Sequence, residues 1–170
     1  MAGFFILNDL DSLIASVAAG SSDALGELYR ETCAGVYAYA LSILKNSHDA
    51  EDVLQECYIR IQASASGYKP QGKPMAWIFT IARNLCYKLL EQKKNVSLLS
   101  FDSAADRWDP DDKLVIDACL QQLSEEDRQI VVLHAVAGMK HREIAAFLSL
   151  PLSTVLSKYH RSIKKMRSYI

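Results

Sequence analysis

Ten residues near the end of the chain, Lys158 to Arg167, hold five cations (Lys158, Arg161, Lys164, Lys165 and Arg167) and no acid. Guanidinium and ammonium groups on one helix can bind phosphates or the acceptor edge of guanine, so this stretch carries the chemistry of duplex-DNA recognition. A second group sets Lys69, Lys73, Arg83 and Lys88 among Tyr68, Trp77 and Tyr87. Cations interleaved with aromatic rings suit single-stranded nucleic acid, whose bases stack on the rings while its phosphates meet the amines. A third group is acidic: Asp49, Asp52 and Glu56 recur at steps of three and four, on one face of a helix. That face repels phosphate, and taken alone it reads as a solvated surface. No glycine-rich phosphate loop or nucleophile–base motif accompanies these groups, so no enzymatic chemistry is expected. Cys33, Cys57, Cys86 and Cys119 are scattered without a CxxC pair, and His48, His134, His141 and His160 do not join them at zinc-ligand spacing. The expectation is free thiols inside helices, with no metal and no cofactor.

The elements that must position these groups all follow the helical period. Asp9 to Ala19 reads as a short helix stopped by Gly20. Ser22 is the expected cap of a long helix to about Lys45, with Leu25, Leu28, Tyr29, Val36, Tyr37, Ala40 and Ile43 inward. A third helix runs from His48 to about Ala65, with Val53, Leu54, Cys57 and Ile61 as core. Ser66 to Lys73 is a loop by composition, and Pro74 suits the first turn of a fourth helix reaching about Lys94. From Asn95 to Asp112 the periodicity fails among serines and five aspartates, which predicts a flexible acidic linker. Four helices close the chain: Lys113 to Gln122, a second starting at Ser124, and a pair after Gly138. In that pair the break at Ser149-Leu150-Pro151-Leu152 and an expected cap at Ser153 give two short helices with a tight turn and a basic second helix. This is the sequence form of a helix-turn-helix. The fold expected is all-α: two small helical domains, 1–94 and 113–170, joined by a linker over 95–112.

Net charge is only −1, but it is segregated into blocks of −7 (1–56), +6 (57–95), −6 (96–130) and +6 (131–170). Two basic blocks between acidic ones predict two nucleic-acid contacts and at least one surface of another kind. No apolar run approaches the length of a membrane span, and the first residues carry no cation ahead of their apolar patch. Membrane insertion is therefore not expected, and the scattered thiols predict a cytoplasmic protein.

Three stretches occur in an order that resembles a known family. Asp49-Ala50-Glu51-Asp52-Val53-Leu54-Gln55-Glu56-Cys57-Tyr58-Ile59-Arg60 resembles the DAEDxxQExF stretch of sigma factors, and Trp77-Ile78-Phe79-Thr80-Ile81-Ala82-Arg83-Asn84 their WLxxIARN stretch. Gly138 to Arg167 resembles their C-terminal helix-turn-helix. From about Asp23 to Arg167 the chain is similar to a group IV, extracytoplasmic-function sigma factor of bacterial RNA polymerase. The resemblance implies a promoter-recognition subunit without an active site of its own. It implies that Asp49, Asp52, Gln55 and Glu56 dock on the clamp helices of core polymerase, and that the C-terminal domain meets the polymerase flap. It places Tyr68, Lys69, Lys73, Trp77, Asn84 and Lys88 at the minus-ten element, where the loop holds a flipped base. Leu156, Ser157, Lys158, His160 and Arg161 align with the readers of minus-thirty-five DNA. Thr154, near the helix N-terminus, and Lys165 complete that set. An anti-sigma factor is a further partner the family implies.

Two departures stand out. Lys88 and Glu91 occupy positions where the family commonly has Asp and Arg, which predicts either a swapped ion pair or a changed duplex contact. Leu156 stands where lysine or arginine is usual; it can touch a thymine methyl but cannot donate to guanine, which predicts an A/T-leaning minus-thirty-five element. Two other classes share part of the pattern. A polymerase-independent helix-turn-helix regulator gives the acidic third helix no role, and a helical adaptor for proteins predicts no salt-dependent DNA binding.

Overall fold

The computed structural model describes residues 10–95 and 120–168. Among them are α1 (Leu10–Ala18), α2 (Ser22–Leu44), α3 (Ser47–Ser64), α4 (Pro74–Asn95), α5 (Glu125–Ala135), α6 (His141–Leu148) and α7 (Leu152–Arg167), with one 3-10 turn at Ala65–Gly67. The all-α class is as expected. The linker expected from Asn95 to Asp112, apart from the backbone of Asn95, lies outside the described residues, as do Cys119 and the expected helix from Lys113 up to residue 119.

Side-chain caps fix where the helices begin. Ser21, rather than the expected Ser22, accepts from the Ala24 amide at 3.2 Å and starts α2. Asn46 accepts from the Asp49 amide at 2.9 Å and starts α3, and Ser124 accepts from the Asp127 amide at 3.2 Å and starts α5. Each cap satisfies an amide that would otherwise lack a helical partner. Lys45, at φ 55°, ends α2 in the left-handed region.

Helices α1 to α4 bury Leu28, Val36, Ile43, Val53, Cys57, Ile61, Ile78, Phe79 and Cys86 against one another. The inward stripe expected for α2 needs two corrections. Tyr29 is 40% exposed, its ring edge-on to Tyr58 at 4.8 Å. Tyr37 is only partly buried, whereas Tyr39, outside the expected stripe, is wholly buried. The reason is that α2 is covered from two sides: Tyr39 meets Phe79 of α4 at 5.2 Å and Phe147 of α6 at 6.0 Å. A helix buried on two sides has no single stripe to read.

The second cover is α5, whose run Arg128 to Leu133 is buried all round. It lies across α2, where Gly35 is the close point: a Cβ there would stand 3.2 Å from both Cα and Cβ of Ala137. Gly138, at φ +70°, turns the chain into the helix-turn-helix, a conformation that favours glycine. Glu143 accepts from the Lys140 amide at 2.8 Å and fixes the start of α6. Ser149, at φ 57°, closes α6, with Leu150 N–H on Ala145 O at 2.9 Å. Helix α7 then starts at Leu152 with Pro151 as its cap residue, so the expected cap at Ser153 is displaced. Proline's fixed φ already suits a helix start, and Pro151 O takes the amides of Thr154 and Val155 at 3.0 and 3.1 Å. Val155 and Ser162 are buried and Tyr159, Ile163 and Met166 half-buried, which fixes the side of α7 that faces the domain.

Cys57 and Cys86 are buried free thiols and Cys33 is a half-buried one. Burial pushes the Cys57 and Cys86 thiols up to about 12, which keeps them protonated and unreactive.

Candidate nucleic-acid and protein interfaces

Packing of α7 through Val155 and Tyr159 leaves Ser157, His160, Arg161 and Lys164 on its outward side. The helix has five cations and no acid, with three of the cations in its last turn, where they complement the helix dipole. Ser157 Oγ donates to Ser153 O at 2.8 Å, which leaves its lone pairs outward. Arg161 Nε donates to Ser157 O at 3.4 Å, a long bond that leaves the guanidinium free to turn outward. Leu156 is 36% exposed and stands one turn from exposed Leu152. Thr154 is half-buried at the helix start.

Two residues of this set point elsewhere. Lys158 is bonded to Glu126 at 3.0 Å and Asp127 at 3.2 Å, both in the first turn of α5. The Glu126 bond, partly opposed by desolvation and reinforced by Asp127, raises its pKa. Lys165 Nζ donates to Gln122 O at 2.5 Å. Lys158 therefore braces α7 against the start of α5, and Lys165 against the segment just before it. Beside them His134 and His141 stack with centroids 4.0 Å apart, each meeting the Tyr159 ring at 4.8 Å.

On the other half of the chain, α4 carries Trp77, Ile81, Asn84 and Lys88 at helical spacing along one side. The Tyr68 ring lies 4.7 Å from that of Trp77, and its hydroxyl donates to Asp11 of α1. Desolvation, with the Asp11 bond, raises the Tyr68 pKa. Lys69 and Lys73, in the loop between Tyr68 and Trp77, are exposed. Asn84 and Lys88 sit two to three turns further on, in a groove between α3 and α4 also lined by Glu56, Ile59 and Arg60. Ile59 is 60% exposed there, an apolar residue not singled out in the sequence. Lys88 and Glu91 are both exposed and make no ion pair with each other, so the swapped pair is not formed.

The acidic face of α3 is divided. Asp52 and Gln55 are exposed. Glu56 pairs with Arg60 one turn on at 2.8 Å, and Asp49 is held by Lys93 of α4 at 2.5 Å with little of its side chain exposed. Asp52 and Gln55 are thus the members most open to a partner. Among the described residues no group of three or more His, Cys, Asp or Glu could hold a metal ion, and no helix is long and apolar enough to cross a membrane.

Comparison with known proteins accounts for both halves. Residues 19–96 match the family model for sigma-70 region 2, and residues 113–166 that for sigma-70 region 4. The chain is 26% identical to the ECF RNA polymerase sigma factor SigK of Mycobacterium ulcerans over 95% of this chain and 93% of that protein. It is 31% identical to the ECF RNA polymerase sigma factor SigE of Mycolicibacterium smegmatis over 85% of this chain and 60% of that protein. The fold is similar to RpoE of Bartonella quintana, solved with the anti-sigma factor NepR (TM-score 0.72, 21% identity, 88% of this chain and 97% of that one). It is also similar to CnrH, solved with the cytosolic domain of CnrY (TM-score 0.68, 23% identity, 93% and 94%). With region 2 and region 4 in order on one helical chain, and the acidic, aromatic-basic and basic faces carried by them, the protein belongs to the extracytoplasmic-function sigma factors of the sigma-70 family, subunits of bacterial RNA polymerase.

Proposed function

We propose that the chain reads a promoter at two places on behalf of core polymerase and contributes no active site of its own. Helix α7 enters the major groove of the minus-thirty-five element, with Leu156, Ser157, His160 and Arg161 at base edges and Thr154 at a phosphate. Lys158 turns from its α5 carboxylates, and Lys165 from Gln122, to phosphates on binding. Tyr68, Lys69, Lys73, Trp77, Asn84 and Lys88 hold the opened strand at the minus-ten element, with one base out of the stack. Asp52 and Gln55, with Asp49 and Glu56 behind them, dock on the clamp helices of core polymerase, and the C-terminal domain meets the flap. Residues 1–94 and 113–170 act as the two modules, and residues 95–112 join two weak contacts into one stronger one by effective concentration. The protein works in the cytoplasm with its polymerase. An anti-sigma partner follows by analogy with the solved RpoE complex.

The observation that carries this reading is the coexistence on one chain of a helix-turn-helix helix with five cations and no acid and of an exposed acidic face beside an aromatic-basic one. A free-standing regulator needs only the first and a protein adaptor only the second. The test is transcription of a fragmented genomic library by core RNA polymerase with and without the protein, mapping transcript starts. New starts sharing a two-part upstream motif are expected. No new starts, from an active core that binds the protein, would contradict promoter reading.

A further inference from the structure

The aromatic pair proposed to meet the opened strand is held by a helix that takes no part in that contact. Tyr68 follows the 3-10 turn, its amide on Ala65 O at 3.1 Å. Trp77 lies in the first turn of α4, its amide on Lys73 O at 3.3 Å. Between them Lys69, Pro70, Gln71, Gly72 and Lys73 are all exposed, and Gly72 turns at φ +67°. Exposed loop residues give a neighbouring ring little cover. The Tyr68 ring is nonetheless half-buried, tilted 48° against Trp77 with centroids 4.7 Å apart. What reaches it from the far side is α1: the Tyr68 hydroxyl donates to Asp11 Oδ1. Burial, with that bond, holds the hydroxyl well above its ordinary range, so it keeps the proton it donates.

Asp11 stands in the first turn of α1, where the helix dipole favours a carboxylate. Leu10, Ile14 and Val17 of the same helix are buried, and α1 packs on α2, α3 and the 3-10 turn. The carboxylate is therefore anchored to the body of the helical domain and not to the loop. Helix α1 also lies ahead of residues 19–96, the stretch that matches sigma-70 region 2. A carboxylate bonded to this pair works against the phosphates that Lys69 and Lys73 attract, so binding DNA does not account for it. Holding Tyr68 does. A hydrogen bond to an ionised acceptor is stronger than one between neutral groups. It orders the ring before a base arrives, so that ordering does not count against the opening step.

We infer that Asp11 is a positioning residue for strand opening: through the Tyr68 hydroxyl, α1 holds the Tyr68 ring against Trp77 as a ready stacking surface for the minus-ten strand. The inference rests on the minus-ten reading proposed above. Asp11 acts on the opening step and leaves the minus-thirty-five contact alone.

The test follows strand opening by core polymerase with the full chain, on its mapped promoter carrying a fluorescent base analogue in the minus-ten element. Asp11→Ala should slow opening about tenfold, the loss of one hydrogen bond to a charged group, with affinity for minus-thirty-five DNA unchanged. Asp11→Asn keeps an acceptor oxygen and should recover most of the rate. Tyr68→Phe keeps the ring, loses the hydroxyl and leaves α1 untouched, so by itself it should slow opening to the same degree. In that background Asp11→Ala should add nothing, which a merely structural role for α1 would not produce. Opening at the full rate in Asp11→Ala, or equal slowing by Asp11→Ala in both backgrounds, would overturn the inference. Tyr68→Ala tells its failure from failure of the reading beneath it. Slow opening in Tyr68→Ala with normal opening in Asp11→Ala removes only the brace. Normal opening in Tyr68→Ala removes Tyr68 from the minus-ten contact and the brace with it.

Discussion

Helices α3 and α7 are similar in length and both are amphipathic, yet they carry opposite charge. Helix α3 has four acids and one base and shows Asp52 and Gln55 to solvent; α7 has five bases and no acid. Phosphate binding is available to the second and closed to the first. The difference teaches that one chain of nearly neutral net charge can address two kinds of partner, provided that the charges lie on separate elements.

Reversing one side of the comparison should have the largest effect. Asp52→Arg puts a cation on the exposed acidic face without touching a core residue. Affinity for core polymerase should fall by several kcal/mol, about a hundredfold or more, while binding of the free chain to duplex DNA stays the same or rises. Competition for core against a second sigma factor measures the first quantity. Unchanged competition would remove the acidic face from the polymerase contact. On the basic side, Arg161→Ala should cost roughly 1–3 kcal/mol in specific minus-thirty-five binding with little change in stability. Lys158→Ala sharpens the contrast. Its partners are Glu126 and Asp127, so about 0.2–1 kcal/mol of fold stability should be lost in thermal melts. A fall in DNA affinity equal to that of Arg161→Ala would make Lys158 a reader first and a brace second.

The smallest effect is pH-dependent. Burial, with His134 and His160 nearby, lowers the His141 pKa below its ordinary 6.5. His134 of α5 and Tyr159 and His160 of α7 face it or lie close by, with no carboxylate among its ring contacts. A histidine whose folded value is depressed favours the fold when neutral. Its contribution is complete above 6.5 and is lost as pH falls through that value toward the folded pKa. Melting temperature should therefore drop in mild acid, and His141→Gln should flatten that drop. An equal drop in the variant would assign the acid sensitivity to other groups.

The two regions also differ in how much their sequence disclosed. The course of α7 was legible because Val155, Tyr159, Ile163 and Met166 keep the helical step on one covered side, and basic residues fill the rest. Its start lies two residues earlier than a cap at Ser153 predicts, since a proline's fixed φ can begin a helix without a side-chain cap. Along α3, Val53, Cys57 and Ile61 were legible as core for the same reason. The packing of α5 across α2 was not legible. Tyr39 and Gly35 of α2 and Arg128 and Gln129 of α5 belong to faces covered by a distant part of the chain, where one-sided periodicity carries no signal. The hint that was present is in α5 itself: Ile130-Val131-Val132-Leu133 is apolar for a full turn and leaves no polar side there, which marks a helix buried all round. Neither were the pairings of Lys158 and Asp49 legible, since each joins residues from separate helices.

The most direct test of the division of labour is binding of the chain to its mapped promoter, measured with and without core polymerase at the same salt. Sequence-specific binding is predicted to appear only with core present, leaving the chain alone with weak, salt-sensitive DNA affinity. Full specific binding by the free chain would contradict the account and make it a regulator that needs no polymerase.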